Sequence, residues 1–564
     1  MLLPLRSATA FFVFCCLFLI IFLPRQIHAE NAVEPGQNEP AAEEVSAPAA
    51  APAQQAAQQA AQQDQEQTFE IEEFKVEGNT IFTTERLRLV LDDFVGPGKK
   101  AADVEKARET LEKFHHDEGY PSVIVNIPEQ KVEEGIIRLQ IIESRISVTR
   151  VTGNRYFTTK QILDRLPSLA PGTVIHAPDV EKEIGSLNKN ADLKVMPTDM
   201  KPGKDLGSIE VDLKAEDHLP FHGSVEINNR NTHDTSDLRI NAGAHYDNLW
   251  HLEHSLSVQY QFSPQKFDEV EVVSASYMAP APWYRDSSVV VYGVYSNSST
   301  IFGDSYHELG KGDVIGTRYV IPVPAYKSLI STVLLGFDYK NFQETTNQTG
   351  SSVISTPVEY MPFSLSYSGS VPDSTGLTLF NAGLNFAFRG LIARAQAFDD
   401  KRLDARSNYF YVSLGAERRQ KLPYGASLDV KLDGQIADQP LISNEQYSAG
   451  GMDSVRGYKD SEVMGDSAFH GMIELVSPDL APKFSLGERF VITPYIFYDF
   501  AVVWVKQALP GQESAMNPQG TGLGVRGLLF KNFEYQTDYA YALHATDKIN
   551  RGDSRIYFKV KYTF

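Results

Sequence analysis

Alternation of apolar and polar residues is the main pattern in the C-terminal part of the chain, residues 217–564. Because the side chains of a strand point to its two faces in turn, such a segment can place one face against lipid and the other against water. The pattern predicts a transmembrane β-barrel, in which we count sixteen antiparallel strands. In the last of them, one face would carry Ile556, Phe558, Val560, Tyr562 and Phe564.

Turn residues separate the other strand-like segments, among them residues 255–262, 289–295, 379–388, 409–417, 427–432 and 495–499. A soluble β-sandwich or propeller would give a similar succession of short strands. The aromatic content and the terminal Phe564 favour the membrane barrel over these folds. An even number of strands is also expected for a bacterial barrel.

Helical periodicity is confined to the region before the barrel, where one pattern occurs twice, in residues 69–144 and 145–216. Each copy has an opening strand, a Gly-Asn turn, two helices and two closing strands. The simplest account is a duplicated small α+β domain. We predict strands at 69–76, 122–127, 135–142, 146–151, 193–196 and 207–214, and helices at 83–94, 102–116, from 158, and at 180–188.

The N-terminal 29 residues have the composition of a secretory signal peptide. Arg6 precedes an apolar run over residues 11–23, and Ala29 is a small residue at the expected cleavage point. The run is too short to span a bilayer. Residues 30–68 are rich in Ala, Gln and Pro, which is typical of a disordered linker. The Ala/Gln-rich part, residues 47–67, can alternatively form a helix, because both residues are good helix formers.

Charge and cysteine usage exclude two classes of function. The formal net charge is −20, and removal of the signal peptide with its two arginines would make it −22. Such an acidic chain is not expected to bind nucleic acid. Cys15 and Cys16 both lie in the signal peptide, so the mature chain would contain neither disulfides nor a reactive thiol.

One loop combines glycines with a cation. Residues 450–458 read Gly-Gly-Met-Asp-Ser-Val-Arg-Gly-Tyr and follow the eleventh predicted strand. In an ordinary surface loop Arg456 would lie in solvent, whereas in a hairpin folded back into the lumen it would need a carboxylate to offset its desolvation. Asp499 lies two strands later among aromatic residues, where facing lipid would be costly, so we expect it to face inward.

Val455-Arg456-Gly457-Tyr458, followed by a strand with an inward aspartate, resembles the signature of two-partner secretion transporters of the FhaC/ShlB type. These transporters belong to the POTRA-barrel superfamily of outer-membrane assembly factors. Residues 119–121, 127–130 and 141–143 resemble the family's first POTRA domain, and Gly153-Asn154 resembles the start of the second. The resemblance covers residues 69–564.

The resemblance implies a sixteen-stranded barrel in the outer membrane of a Gram-negative bacterium, with two POTRA domains in the periplasm. It assigns Arg456 and Asp499 to a pair that locks the loop in the lumen, and it places the Ala/Gln-rich segment at the family's plug helix. Where the family usually has glycine two residues after the aspartate, this chain has Ala501. A methyl group there is expected to crowd the tip of the loop.

The implied function is export of an unfolded partner protein of the haemolysin or adhesin type. Its backbone would add as a strand to a POTRA sheet edge, near Ile146, Val148 and Val151, unless these are core residues. Outer-membrane lipid and the barrel assembly machinery are the other expected partners. An assembly factor is the alternative, although such proteins generally carry more POTRA domains. A passive porin would leave the two periplasmic domains without a role.

No catalysis, cofactor or metal is expected. His251 and His254 would point to opposite faces of a strand, and His115 and His116 diverge on a helix. Gly-Asp-Ser occurs at 303, 465 and 552, each time between predicted strands, which favours turns over a nucleophile. The sequence has no nucleophile elbow, phosphate-binding loop or His-Glu-x-x-His motif.

Overall fold

A computed structural model describes residues 68–131, 135–233, 235–284, 286–298, 300–301, 308–346, 354–392 and 394–564. The predicted signal peptide and the linker or helix at residues 30–67 lie outside the described residues. No helix in the described part of the chain has the length and apolar character needed to cross a bilayer.

Sixteen antiparallel strands form a closed barrel within the described residues, which confirms the predicted fold class. Neighbours in sequence pair with each other, and the last strand pairs with the first. Strands 8 and 14 each consist of two consecutive segments. In chain order the strands are Phe221–Asn228, Arg239–Leu249, His254–Phe262, Glu271–Pro280, Ser288–Ser296, Gly312–Tyr326, Leu329–Thr346, Ile354–Tyr360 with Pro362–Asp373, Gly376–Ala387, Phe410–Lys421, Ser427–Ala437, Ser467–Val476, Phe490–Trp504, Ala515–Met516 with Gln519–Leu529, Phe533–Ala542 and Ser554–Thr563.

The predicted alternation is present in strand 16. Ile556 and Val560 are 58% and 43% exposed on the outer face, whereas Tyr557 between them is 1% exposed on the inner face. The inner wall is polar elsewhere, and a lumenal cavity of about 660 Å³ is lined in part by Ser368 and Asn381. An apolar exterior around a polar interior is the arrangement that a barrel in lipid requires.

Each small domain contains a three-stranded sheet whose central strand pairs parallel with the first strand and antiparallel with the other. Across the sheet, the first domain has Glu73–Glu77, Ile136–Glu143 and Val123–Asn126, with helices Thr84–Leu91 and Ala101–Asp117. The second has Arg145–Thr152, Ser208–Asp217 and Leu193–Pro202, with helices Thr159–Asp164 and Ala177–Leu187. The short elements outside these sheets and the barrel wall are the strands Phe69–Ile71, Gly96–Lys99, Thr300–Ile301, Glu308–Leu309, Tyr447–Ala449 and Val463–Gly465, the helix Ala395–Lys401, and 3-10 turns at Asp92–Phe94, Pro167–Leu169, Pro423–Gly425, Ser443–Glu445 and Ala481–Phe484.

The Gly-Asn turns explain why the two domains have the same start. Gly78 and Gly153 have φ values of 87° and 88°, and a β-carbon on either would lie within 2.4 Å of a carbonyl oxygen of the central strand. At the end of that strand, a carboxylate accepts hydrogen bonds from the backbone that follows the turn: Glu143 from Ile81 at 3.1 Å, and Asp217 from Phe157 at 2.8 Å. Glycine and acid together fix the direction of the chain into the first helix.

The second domain contacts the barrel at the turn between strands 2 and 3. Gln161 donates to Asn248 at 2.8 Å, Asn248 donates to the Tyr156 carbonyl at 3.1 Å, and Arg165 forms an ion pair with Glu253. The barrel begins and ends on this side, and the connections between successive strands alternate between its two ends. The connection between strands 11 and 12 therefore lies at the opposite end.

Candidate functional site

The connection between strands 11 and 12 folds back into the barrel. Its stem is the short strand pair Tyr447–Ala449 and Val463–Gly465. Residues 450–460 form its tip, which we call the lumenal loop. Gly450 and Gly457 have φ values of 119° and 107°, a region in which side-chain-bearing residues are strained.

Arg456 lies at the centre of the lumenal loop and is 1% exposed. Its Nε and Nη2 donate to the two carboxylate oxygens of Asp499 at 2.7 and 2.8 Å, and its backbone N–H donates to Asp499 at 3.1 Å. Nη1 donates to Glu474 at 2.7 Å, and the guanidinium carbon lies 3.4 Å from the ring centroid of Phe497. This full set of partners offsets the desolvation of a buried cation.

The partners of Arg456 belong to a larger network along strands 11 to 15. Arg526 donates to the second oxygen of Glu474 at 2.7 Å and to Asp429 at 3.2 Å. Asp538 lies 3.9 Å from Arg456 and accepts hydrogen bonds from Tyr495 and Gln536. Sequence reasoning identified Asp499 but missed the other acids, because each could equally be a solvated lumenal residue.

The loop tip lies against the backbone of strands 14 and 15. A β-carbon at Gly457 would lie 2.9 Å from Ala542 N, and one at Gly520 would lie 1.7 Å from the carbonyl oxygen of Arg456. The Tyr458 hydroxyl lies within hydrogen-bond distance of the carbonyls of Gln519 and His544, at 2.9 and 2.7 Å, and its single proton is donated to one of them at a time. The docked position therefore depends on glycine on both sides of the contact.

Ala501 does not displace the loop, contrary to the crowding expected from the sequence. Its side chain is fully buried in a cluster with Val455 and Tyr458, beside the bidentate contact between Arg456 and Asp499. The methyl group fills space under the loop and adds apolar contact.

Two acids of the lumenal loop are tied to the connection between strands 1 and 2. Arg230 lies 2.6 Å from Asp453 and 3.3 Å from Asp460, and the Asp460 N–H donates to the Asn231 carbonyl at 3.0 Å. These contacts join the loop to the strands beside the closing seam of the barrel.

A second buried carboxylate, Glu445, is bonded to strands 7, 8 and 10 of the barrel. Glu445 is 2% exposed, and it accepts hydrogen bonds from Lys340 at 2.6 Å, Tyr360 at 2.7 Å and Tyr411 at 2.9 Å. Apolar residues of strands 6 to 11 and their connections surround it, including Phe342, Phe398, Tyr409 and Leu441. This group, which we call the Glu445 cluster, fixes the start of the connection that carries the lumenal loop.

The Gly-Asp-Ser tripeptides have different environments. Asp466 is fully buried, bonds to Arg402, and accepts the N–H groups of Leu441 and Lys506 at 2.7 Å each, so it joins three connections rather than making a simple turn. Gly552 does lie in a turn, before strand 16. The tripeptide at 303–305 lies outside the described residues.

Comparisons with known proteins give one consistent result. Residues 69–144 match the family model described as the POTRA domain, ShlB-type, and residues 374–527 match the haemolysin secretion/activation protein ShlB/FhaC/HecB. The chain is 22% identical over 420 residues to the outer membrane transporter CdiB of Dickeya dadantii, covering 72% of each chain. It is 21% identical over 457 residues to the heme/hemopexin transporter protein HuxB of Haemophilus influenzae, covering 77% of this chain and 76% of the relative.

A solved structure, CdiB from Escherichia coli, has a similar fold, with a TM-score of 0.60, 17% identity, and coverage of 89% of this chain and 92% of that one. These matches confirm the resemblance to two-partner secretion transporters of the ShlB/FhaC/HecB type. The chain is an outer-membrane transporter with its POTRA domains in the periplasm, and it carries a secreted partner protein to the cell surface.

Within the second POTRA domain of the transporter, one predicted passenger contact is corrected. Ile146 is 1% exposed in the domain core, so its side chain cannot meet a passenger without local unfolding. Val151 packs against the same core, and Val148 is half-buried. All three lie on Arg145–Thr152, which is an edge strand of its sheet.

The histidines that were considered as metal pairs have other partners in the transporter. His115 contacts the Leu111 carbonyl and His116 the Val123 carbonyl, at 2.8 and 2.9 Å. His254 contacts the hydroxyl of Tyr277, and His251 lies in the preceding turn. Neither pair converges on one point.

Proposed function

We propose that this transporter binds an unfolded exoprotein of the haemolysin or adhesin type on its POTRA domains and passes it through the lumen after the lumenal loop is released. The observation that most directly supports this proposal is the burial of Arg456 between Asp499 and Glu474 inside the barrel. We assign residues 69–144 and 145–216 to the POTRA domains and 217–564 to the barrel. Val455, Arg456, Gly457, Tyr458 and Asp499 form the lock.

The lumen offers a polar path once the loop moves. A cavity of about 520 Å³ beside the lumenal loop is lined by Asp453 and Arg456 of the loop and by charged residues of the wall, among them Glu417 and Lys559. Displacing the loop would enlarge this cavity. A polar wall suits an extended chain, whose backbone groups remain hydrated during passage.

The edge of the second POTRA sheet is the proposed entry point. The N–H of Ile146 already donates to the Thr173 carbonyl, and the Gly172 N–H donates back to Ile146, so the start of the edge strand is covered. The remaining edge, from Val148 to Thr152, is where an extended passenger can add as a strand. Val148 and Val151 would then contribute side-chain contacts.

Release of the loop requires energy from outside the lock. Separating Arg456 from its partners inside the lumen costs on the order of 3–5 kcal/mol, the usual penalty for an unpaired buried charge. Since the sequence has no nucleotide-binding motif, we propose that passenger binding and passenger folding at the cell surface supply it.

We propose that the outer surface of the barrel contacts the two remaining partners, outer-membrane lipid and the barrel assembly machinery. Outward side chains such as Leu523 and Ile496, 59% and 58% exposed, would contact outer-membrane lipid. We also propose that the barrel assembly machinery inserts the chain, since its sixteen strands must close in the membrane.

Export of an exoprotein whose secretion depends on this chain tests the lock. Arg456→Ala and Asp499→Asn are expected to reduce export strongly while the barrel still assembles and shows its heat-modifiable mobility. Arg418→Ala is the matched control, because Arg418 also binds an aspartate, Asp373, but is 28% exposed and lies at the periplasmic rim. Normal export by both lock variants would exclude the lock.

Deletion of the chain separates transporter from assembly factor. Loss of one exported protein is expected for the transporter. Broad loss of other outer-membrane barrels would instead support the assembly factor.

A photo-crosslinking residue at position 148 tests the entry point during export. We expect it to form an adduct with the passenger, whereas the same residue at Leu89, which is 77% exposed in the first domain, should not. Equal adducts at both positions would contradict binding at this edge.

A further inference from the structure

Three potential metal ligands meet, with a fourth beside them, where the second POTRA domain joins the barrel. His222 on strand 1 lies opposite His245 on strand 2, and Asp247 follows on the same face. The imidazole, imidazole and carboxylate ligand atoms of these three residues all lie within 4.8 Å of one another. Asp192, from the turn before Leu193–Pro202 in the POTRA domain, places Oδ2 2.9 Å from Nε2 of His222.

The backbone fixes the position of each ligand. Strands 1 and 2 pair residue by residue from His222 and His245 onward, which holds the two rings 4.9 Å apart in a stack. The Asp247 N–H donates to the Pro220 carbonyl at 2.9 Å. Asp192 is anchored twice, because its N–H donates to Asn190 at 2.8 Å and its carbonyl accepts from His218 at 2.9 Å.

Each histidine already lies beside a carboxylate. Nε2 of His245 lies 3.2 Å from Oδ2 of Asp247, which matches the contact between His222 and Asp192. A divalent cation held by His222, His245 and Asp247, with Asp192 turned towards it, would carry a charge that balances the two carboxylates. Two imidazoles and two carboxylates form a ligand set that suits Zn²⁺ and related transition metals.

The site is accessible and needs only small movements. A cavity of about 860 Å³ is lined by Asp192, His222, His245 and Asp247. Tetrahedral Zn²⁺ with ligands at about 2.0–2.2 Å holds neighbouring ligand atoms about 3.4 Å apart. The ligand atoms of His222, His245 and Asp247, which lie within 4.8 Å of one another, must therefore approach by up to roughly 1.4 Å, and the Asp192 carboxylate must turn towards them. The side chains of His222 and His245 are 35% and 42% exposed, which leaves them room for this change.

We propose that Asp192, His222, His245 and Asp247 bind one divalent transition metal ion, which ties the second POTRA domain to barrel strands 1 and 2. The ion would hold the domain at the mouth of the lumen, beside the seam where strand 16 meets strand 1. This inference concerns the joint between the domains and does not depend on the lock.

Zn²⁺ titration of the full-length protein without a polyhistidine tag tests the site. We expect one Zn²⁺ per chain, an affinity at least about 100-fold lower in the His222→Asn/His245→Asn double variant, and at least about tenfold lower in Asp192→Asn. His251→Asn is the matched control and should bind as the wild type does. Heat-modifiable mobility must show that every variant contains a folded barrel.

Two results would overturn the proposal. Equal Zn²⁺ affinity in the wild type and the double variant would exclude a metal site at these histidines. Unchanged affinity in Asp192→Asn would exclude the tie between the domains. Hydrogen exchange gives a separate readout, since Zn²⁺ should protect residues 188–192 in the wild type and leave them unchanged in the double variant.

Discussion

Gly520 and Arg456 are in direct backbone contact: a β-carbon at position 520 would lie 1.7 Å from the Arg456 carbonyl oxygen. Strand 14 thus lacks a side chain at the point where the lumenal loop carries its buried cation. The docked loop depends on this missing atom as well as on the charges of Asp499 and Glu474.

Gly520→Ala should undock the lumenal loop. Because the clash is with backbone, the loop must move as a unit, at a cost of about 1–3 kcal/mol or more. We expect longer and larger channel openings in planar lipid bilayers. Gly293→Ala is the control, since its β-carbon would come no closer than 3.9 Å to a neighbouring atom. Identical conductance of wild type and Gly520→Ala would contradict the close contact.

Glu445→Ala should release the start of the same connection. Lys340 would lose its buried partner, and Tyr360 and Tyr411 would lose an acceptor, which together should cost about 3–5 kcal/mol. We expect a lower thermal unfolding temperature in detergent and faster proteolysis within residues 438–446. Glu417→Ala removes a more exposed carboxylate of the lumen and should change neither. Unaltered proteolysis of Glu445→Ala would argue against the cluster as a support of the loop.

His115 should make the first POTRA domain sensitive to acid. Burial lowers its pKa below the ordinary value, and its Nε2 has no hydrogen-bond partner in the described structure, so the folded domain favours neutral imidazole. Its contribution to stability is complete above the unfolded pKa of about 6.5 and is lost progressively as the pH falls from there through the lowered folded pKa.

Hydrogen exchange of residues 111–125 in the full-length protein measures this effect. After correction for intrinsic rates, the free energy of opening should be smaller at pH 5.5 than at pH 7.5. His115→Leu should remove the difference. Persistence of the same difference in the variant would assign it to other groups.

The sequence was sufficient for the barrel and for one of the acids that bind Arg456. Alternation in strand 16 and the position of Asp499 among aromatic residues both follow from the two-sided environment of a barrel strand. Glu474 carries no comparable signal, because its pairing depends on how the loop tip descends past strand 12. The burial of Glu445 likewise depends on connections that are distant in sequence.

The sequence also contains a signal for the docking of the lumenal loop that the sequence analysis did not use. Gly520, Gly522 and Gly524 repeat with period two on strand 14, so the first half of one face of this strand has no side chains. Such a face marks a close approach by other atoms. The three positions are approached by the Arg456 carbonyl, the Phe497 ring and the Asp538 carboxylate, respectively.

Labelling of a cysteine at Ser454 tests the release of the lumenal loop most directly. Ser454 is 3% exposed, and the sequence contains no cysteine after Cys16, so the introduced thiol would be unique in the mature chain. A membrane-impermeant maleimide outside the cell should react with Ser454→Cys only during passenger export or in the Arg456→Ala background. Leu391→Cys, at a 50% exposed position in the connection between strands 9 and 10, should react under all conditions. Equal protection of Ser454→Cys at rest, during export and in the Arg456→Ala background would contradict the lock.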